Sequence, residues 1–339
     1  MPARRPSHDT RDALPPSKRQ YVAQPMPRFL EFQHARLVAE PPTGRAWLHE
    51  IKLDGYRMQV RVERGEAQVF TRRGHDWTHL LPELAEDAAE LGFEGVLDGE
   101  LCFLDEGGKP TFSGLRAAIG RGRTAPLVFF AFDVLWRGDT DLRSFQLKDR
   151  KAILAEALAD PPSARIRAVA PLPEAAGAGG PALLAAACRL GLEGVVSKRR
   201  DSRYLAGRGE TWVKAKCRLS QEFVIGGWTQ EPGRHFKGLL VGVHEAGALR
   251  YVGSLERGFA KTPGLLKRLQ ALAAEKTPFA LESPRKTAEV HWVRPELVAQ
   301  AEFQEWTASG MIRHASFVGL REDKDASEVV RERAEEAPL

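Results

Sequence analysis

Two periods alternate along the chain. Stretches in which apolar and polar residues trade places one for one read as half-buried strands, because side chains on a strand point to opposite faces in turn. Stretches in which apolar residues recur every three or four positions read as amphipathic helices. Residues 47–63, "WLHEIKLDGYRMQVRVE", and 67–74, "AQVFTRRG", predict strands in a hairpin around Gly65. "LLPELAEDAAELG" predicts a helix with Pro82 near its start and Gly92 after its end. "GVLDGELCFLD" predicts a strand that runs into the turn "DEGGKP", and "LVFFAFDVLW" a buried, aromatic strand. A helix, "LKDRKAILAEALAD", stops at Pro161-Pro162. After the loop "PLPEAAGAGGP" come a helix, "ALLAAACRLG", and two strands, "LEGVVSKRR" and "TWVKAKCR".

Near Ser220 the rhythm changes. "EFVIGGWTQ", "KGLLVGVHE" and "ALRYVGSLE" follow one another as strands with Gly-rich turns. One helix, "TPGLLKRLQALAAEK", precedes further strand through "VHWVRPELVAQAEFQEWT". That size and order suit a five-stranded OB-type barrel. The predicted fold class is α+β: antiparallel sheets with flanking helices, then an OB-fold barrel. The expected organisation is a basic, disordered tail (1–28), a first domain (29–219), the OB domain (220–326) and a charged C-terminal tail (327–339).

With 339 residues the chain is long for one domain and comfortable for two. The three cysteines, Cys102, Cys188 and Cys217, are scattered and odd in number. They are expected to be inert packing residues in a reducing compartment rather than a disulfide framework or a zinc site. No apolar run is long enough to span a bilayer, and the basic N-terminus lacks the apolar core of a signal peptide. The overall charge of +5 suggests a nucleic-acid partner, but residues 1–28 carry +4 of it. The tail is therefore either a nonspecific phosphate-binding arm or a solubilising leader. The terminal run "RERAEEAPL" reads as solvated charge.

The chemistry sits on the strands. In "EIKLDGYR", Glu50, Lys52 and Asp54 share one face, which is either plain solvent or a place where a lysine is held for chemistry. A four-residue match to "KLDG" arises easily by chance. Later strands add to it. Asp98 and Glu100 share a face, as do Phe130 and Phe132. Glu193 leads a strand ending in Lys198, and Lys214 and Lys216 lie side by side, an arrangement that costs energy unless an anion lies between them. Cations, acids and a flat ring together suit a nucleotide: phosphates, ribose hydroxyls with a divalent metal, and base.

In order and spacing, "EIKLDGYR", "TRRGHDW", "LDGE", "FFAFDVLW", "LEGVVSKR", "WVKAKC" and "IRHASFVGLREDK" resemble the six nucleotidyltransferase motifs of ATP-dependent DNA ligases. "QEFVIGGWT" and "GLREDK" bring the likeness closest to the ligase module of bacterial ligase D, of the non-homologous end-joining type. The resemblance runs from about Phe29 to Lys324 and implies a nucleotidyltransferase (adenylation) domain followed by the OB domain. It implies that Lys52 attacks the α-phosphate of ATP to give a covalent lysyl-AMP, that AMP passes to a DNA 5′-phosphate, and that the 3′-hydroxyl then displaces it. Lys214 and Lys216 match the lysines at the α-phosphate, and with a bound metal they are expected to lower the pKa of Lys52. His49 and Glu50 match the adenine side, Phe132 the ring that stacks on it, Arg57 a ribose or phosphate contact, and Glu100 the ribose acid. Glu193, with Glu100, matches the acids tied to Mg²⁺ or Mn²⁺. Arg72 matches the arginine for the 5′-phosphate of the nick. Arg313, Arg321, Asp323 and Lys324 lie in the last motif, which orients the pyrophosphate when the domains close. Ala315 and Val318 depart from that motif, where relatives usually have proline and often a basic residue.

The resemblance further implies a monomeric, bacterial, cytoplasmic enzyme acting at the nucleoid. Its partners would be nicked or broken double-stranded DNA and a Ku-like end-binding protein. The chain reads as a free-standing catalytic core. The alternatives are an RNA ligase or mRNA-capping guanylyltransferase of the same superfamily, and a catalytically dead nucleotide- or DNA-binding module. His75 and Asp76 read as loop supports, and Asp98 as a turn residue, salt-bridge partner or buttress.

Overall fold

The computed structural model of the chain describes residues 25–173, 179–231, 234–259, 264–281 and 289–335. The expectation of a disordered tail falls almost wholly outside them. The first domain contains β1 (Gln33–Leu37), β2 (Trp47–Lys52), β3 (Tyr56–Glu63), β4 (Glu66–Thr71), α1 (Pro82–Ala89), β5 (Gly95–Phe103), α2 (Phe112–Gly120) and β6 (Leu127–Arg137). It continues through β7 (Thr140–Asp141), α3 (Leu147–Ala157), β8 (Ile166–Ala168), α4 (Gly180–Arg189), β9 (Gly194–Arg199) and β10 (Gly207–Lys216).

These strands make two sheets. The larger has the order β4-β3-β5-β6-β7, with β8 added in parallel on β6. The smaller has the order β1-β10-β9-β2. Alternation along β3 sends Met58, Val60 and Val62 into a core completed by Leu97, Leu101 and Phe129 and by Leu84, Leu115 and Leu154 of the helices. A second core, with Val96, Leu135, Trp136 and Trp212, draws on both sheets. Helix α3 carries a charge inside it: Arg150 is fully buried and forks onto Asp133, with both hydrogen bonds at 2.8 Å. Glycine is required between β2 and β3. A Cβ on Gly55 would lie 2.1 Å from the Leu101 carbonyl oxygen, so only a bare backbone can pass β5 there.

The second domain contains β11 (Leu219–Glu231), β12 (Arg234–Glu245), β13 (Ala248–Leu255), α5 (Leu265–Ala271), β14 (Ala273–Ala274), β15 (Glu289–Val293), β16 (Val298–Phe303), β17 (Glu305–Trp306), β18 (Ile312–Arg313) and β19 (Ser316–Leu320). The long β11 pairs with β12 on one side. On the other it pairs first with β16 and then with β15. β12 leads to β13, β16 leads to β19, and Phe317 N–H donates to the Arg257 carbonyl just past β13 at 2.9 Å. That bond brings the two ends of the five-strand path together as an OB-type barrel. The expected five strands are thus joined by β14 and β15, which extend the sheet to seven. The predicted helix is shorter than its sequence pattern, because Ala273 and Ala274 leave it to pair with β15.

Two expectations are corrected. Cys188 and Cys217 form a disulfide, with their Cα atoms 5.2 Å apart, and only Cys102 is a free, buried thiol. The end of α4 meets the end of β10 in space, which a separation of 29 residues conceals. The C-terminal charge run is also not simply solvated. Val330 bridges to His244 of β12, and Glu335 bridges to Val38 beside β1, so the segment touches both domains.

Candidate active site

A cleft between the domains gathers side chains from both sheets and from the OB domain. It is lined by Glu50, Lys52, Asp54 and Arg57 from β2, β3 and the turn between them, Glu100 and Phe132 from β5 and β6, Glu193, and Lys214 and Lys216 from β10. The second domain adds Glu222, Gln300, Arg321, Asp323, Lys324 and Glu332. Strand pairing fixes the positions. Lys52 lies opposite Gly194, one residue after Glu193, and Gly194 lies opposite Lys216.

Lys52 ends β2 with its Nζ 2.7 Å from Glu193 Oε2. Burial opposes its charge, but Glu193, then Glu100 and Asp54, outweigh burial and raise its pKa above the ordinary lysine value. The acids act on Lys52 directly, while Lys214 and Lys216 themselves lie against the Glu332 carboxylate. The same crowding shows in the acids. Burial and the neighbouring Glu193 carry Asp54 up to about 6 against the pull of Lys52. Burial, more than Glu193, carries Glu100 up to about 7 in spite of Lys52 and Arg321. Asp98 is settled by the structure as a buttress. It is fully buried and receives both Arg57 Nε (3.0 Å) and Nη2 (2.7 Å) and the Tyr204 hydroxyl (2.8 Å).

At the other end of the cleft Glu50 is only 2% exposed and sits between two lysines, Lys151 and Lys198, each 2.6 Å away. Lys151 also donates to the Phe132 and Val169 carbonyls. The ammonium of Lys198 lies 4.2 Å from the Phe132 ring centre and 4.1 Å from that of Trp212. This end therefore has a flat ring, a carboxylate and an enclosed cation-π contact.

The opposite end is cationic. Lys214 and Lys216 share a carboxylate, Glu332, at 2.7 and 3.3 Å. Burial and then Lys216 bring Lys214 down to about 8, against Glu332. Burial opposes the charge of Glu332, but Lys216 and Lys214 override it and hold its carboxyl at about 2. Beside them, burial and then Arg72, Arg57, Arg208 and Lys214 depress His34 to about 3. Arg321 grips Asp323 through two bonds of 2.8 and 2.6 Å and lies over the rings of Tyr56 and Phe112 of the first domain. Lys324 pairs with Glu222 at 3.2 Å.

Most of the residues singled out in the sequence meet in this cleft: Lys52, Glu50, Arg57, Arg72, Glu100, Phe132, Glu193, Lys214, Lys216, Arg321, Asp323 and Lys324. Two do not. His49 points away from it and meets Ser197 Oγ at 2.8 Å, as strand alternation from Glu50 requires. Arg313 is on the small β17–β18 hairpin, paired with Glu305 at 2.9 Å and well exposed. Phe130 leaves the cleft to Phe132 and lies under Arg167. Asp76 caps Thr78 in its loop, as its loop-support reading implied. Sequence reasoning missed Lys151, Glu222 and Glu332, whose partners lie 101, 102 and 118 residues away. Only the expectation of an anion between Lys214 and Lys216 pointed toward the last of them.

Two family models match. One, the ATP dependent DNA ligase domain, matches residues 31–216, and the other, the ATP dependent DNA ligase C terminal region, matches residues 232–324. The chain is 42% identical over 318 residues to the multifunctional non-homologous end joining protein LigD of Pseudomonas aeruginosa, an alignment covering 91% of this chain and 37% of that protein. It is 38% identical over 296 residues to the multifunctional non-homologous end joining DNA repair protein LigD of Mycobacterium tuberculosis H37Rv, covering 84% and 37% respectively. It therefore spans a little over a third of the length of these relatives. A solved structure of mycobacterial DNA ligase D complexed with ATP and MES superposes with a TM-score of 0.63 at 35% identity, covering 88% of this chain and 98% of that one.

Proposed function

We infer what the cleft does from one premise: the chain belongs to the ATP-dependent DNA ligases, of the LigD type. The reading is an ATP-dependent DNA ligase that joins 3′-hydroxyl and 5′-phosphate ends through lysyl-AMP and DNA-adenylate. The observation that carries it is Lys52 at the end of β2, between a carboxylate 2.7 Å away and a cleft lined by Phe132 at one end and by Lys214 and Lys216 at the other.

Its steps follow from those positions. The base stacks on Phe132, and Glu50, braced by Lys151 and Lys198, presents an acceptor at its edge. Lys214 and Lys216 hold the α-phosphate. The Lys52 amine attacks phosphorus, the N–P bond forms as the bond to the β-phosphate breaks, and pyrophosphate leaves. Glu193, already hydrogen-bonded to the ammonium, is placed to take the proton. Arg321, held by Asp323, and Lys324 face the leaving group from the second domain. Arg72, beside His34, is positioned for a 5′-phosphate.

The donor set fits a divalent metal. Asp54 and Glu100 are pushed toward protonation by burial, with Glu193 adding to the crowding, and a dication would offset that surplus of negative charge. Glu193 and Glu100 would hold such an ion together with the substrate's phosphates. Mg²⁺ or Mn²⁺ there would supply charge neutralisation at the phosphates.

The relatives' names support DNA end joining as the setting. A nicked or broken double-stranded DNA substrate, a Ku-like end-binding partner and a monomeric state are the rest of the same proposal. No helix among the described residues is long and apolar enough to cross a membrane. The test is sealing of a nicked DNA duplex with ATP and Mg²⁺ or Mn²⁺, run beside a nicked RNA strand and beside GTP. Sealing of DNA with ATP is the expected result. Exclusive use of RNA or of GTP would move the chain to the RNA-ligase or capping branch.

A further inference from the structure

The segment after the short 3₁₀ turn Ala326–Glu328 does more than end the barrel. Val330 pairs with His244, and Glu332 N–H donates to the Gln221 side chain at 3.1 Å, both in the second domain. Three residues later Glu335 N–H donates to the Leu37 carbonyl at 3.0 Å, and its carboxylate meets Arg36 at 2.6 Å, both in the first domain. Arg331 lies 4.3 Å over the Trp306 ring. A strap of a few residues is thus fastened at both ends across the mouth of the cleft. From its middle the Glu332 side chain, only 10% exposed, reaches Lys214 and Lys216, with Arg208 4.0 Å away.

Two buried ammonium groups side by side need an anion. A carboxylate offers two oxygens and one negative charge in the place where two phosphoryl oxygens would sit. Carboxylate and phosphate are both anions, so they compete for the charge and the space between the two ammonium groups. Resting on the adenylation reading above, we propose that residues 329–335 are an autoinhibitory strap. Its Glu332 is an internal stand-in for phosphate, which the nucleotide's α-phosphate displaces on entering the cleft. Because the strap is tied to both domains, its displacement also loosens one tie between them, so that occupancy of the nucleotide site is reported to the domain contact.

The test uses the full chain and α,β-methylene-ATP, which binds without transferring AMP. Calorimetry compares the wild type with Glu332→Gln, which keeps the side chain's shape and removes its charge. Hydrogen exchange follows residues 329–335 of the wild type with and without the analogue. The expected results are at least about tenfold tighter binding by E332Q, the weight of one charge-assisted hydrogen bond, and faster exchange of the strap when the analogue binds. If the wild type binds the analogue but E332Q binds it equally or more weakly, or the strap keeps or gains protection, the strap proposal is overturned and the nucleotide reading stands. If neither protein binds the analogue, both fall. The exchange measurement needs no variant, so a misfolded E332Q would not protect the proposal.

Discussion

Phe132 shares the end of the cleft proposed for the base with Trp212, and the Lys198 ammonium rests 4.2 Å from the Phe132 ring centre. Replacing it with alanine removes a stacking contact worth about 1 kcal/mol and leaves Lys198 facing a void. The KM for ATP in adduct formation should rise about fivefold, while the maximal rate changes less. An unchanged KM would mean that the base binds elsewhere. The residue scale also shows what a sequence can carry. Lys52, Glu100, Phe132, Lys214 and Lys216 were legible because each stands in a strand whose alternation says which neighbours share its face, and Glu193 because it immediately precedes one, all within motifs whose order resembles the family's. The protonation of Lys52 was not legible. It depends on which charges surround the ammonium in space, and Glu193, Glu100 and Asp54 come to it from separate stretches of the chain.

Elements hold these residues by backbone geometry as much as by packing. The β2–β3 turn brings Lys52 and Arg57 to the cleft past β5 at Gly55, where an added Cβ would lie 2.1 Å from the Leu101 carbonyl oxygen. Gly55→Ala must push β5 away, and β5 carries Glu100 and Asp98. The variant should lose about 2–4 kcal/mol of stability, within the range of strained backbone and overpacking, read as a lower urea midpoint of the first domain. A midpoint equal to wild type would show that the turn can relax. Most of the long strands and helices of both domains were visible in the periods of the sequence, but helix α2 (Phe112–Gly120) and strand β1 (Gln33–Leu37) were not read from it. The short pieces were not: two residues in β7, β14, β17 or β18 are too few to show a period. The Cys188–Cys217 bridge escaped for a different reason, since it joins two element ends whose meeting only the folded chain defines.

At the scale of the whole molecule, the cleft belongs to neither domain alone. Arg321 of the second domain lies over Tyr56 and Phe112 of the first, and the C-terminal strap ties both together through Glu332. That tie has a pH signature. The Glu332 carboxyl stands at about 2, below its ordinary 4.5, because Lys216 and Lys214 outweigh the burial that opposes its charge. A carboxyl depressed in the folded state stabilises it fully above the unfolded value and loses that contribution as pH falls through the folded one. The stability difference between wild type and E332Q should therefore be on the order of 3 kcal/mol at most near neutrality and shrink as pH drops from 4.5 toward 2. A difference independent of pH would mean that the glutamate acts by shape rather than charge. The strap was invisible in the sequence because its run of charges has no period and the lysine partners of Glu332 are 118 and 116 residues away.

The central claim is that this two-domain cleft adenylates Lys52. Its most direct measurement is covalent labelling by ATP carrying a label on the α-phosphate, with Mg²⁺ or Mn²⁺, followed by mapping of the labelled peptide. The account predicts label on the peptide containing Lys52, none from ATP labelled on the γ-phosphate, and none in Lys52→Ala. Label that persists in Lys52→Ala, or a folded wild-type chain that takes up none, would contradict it.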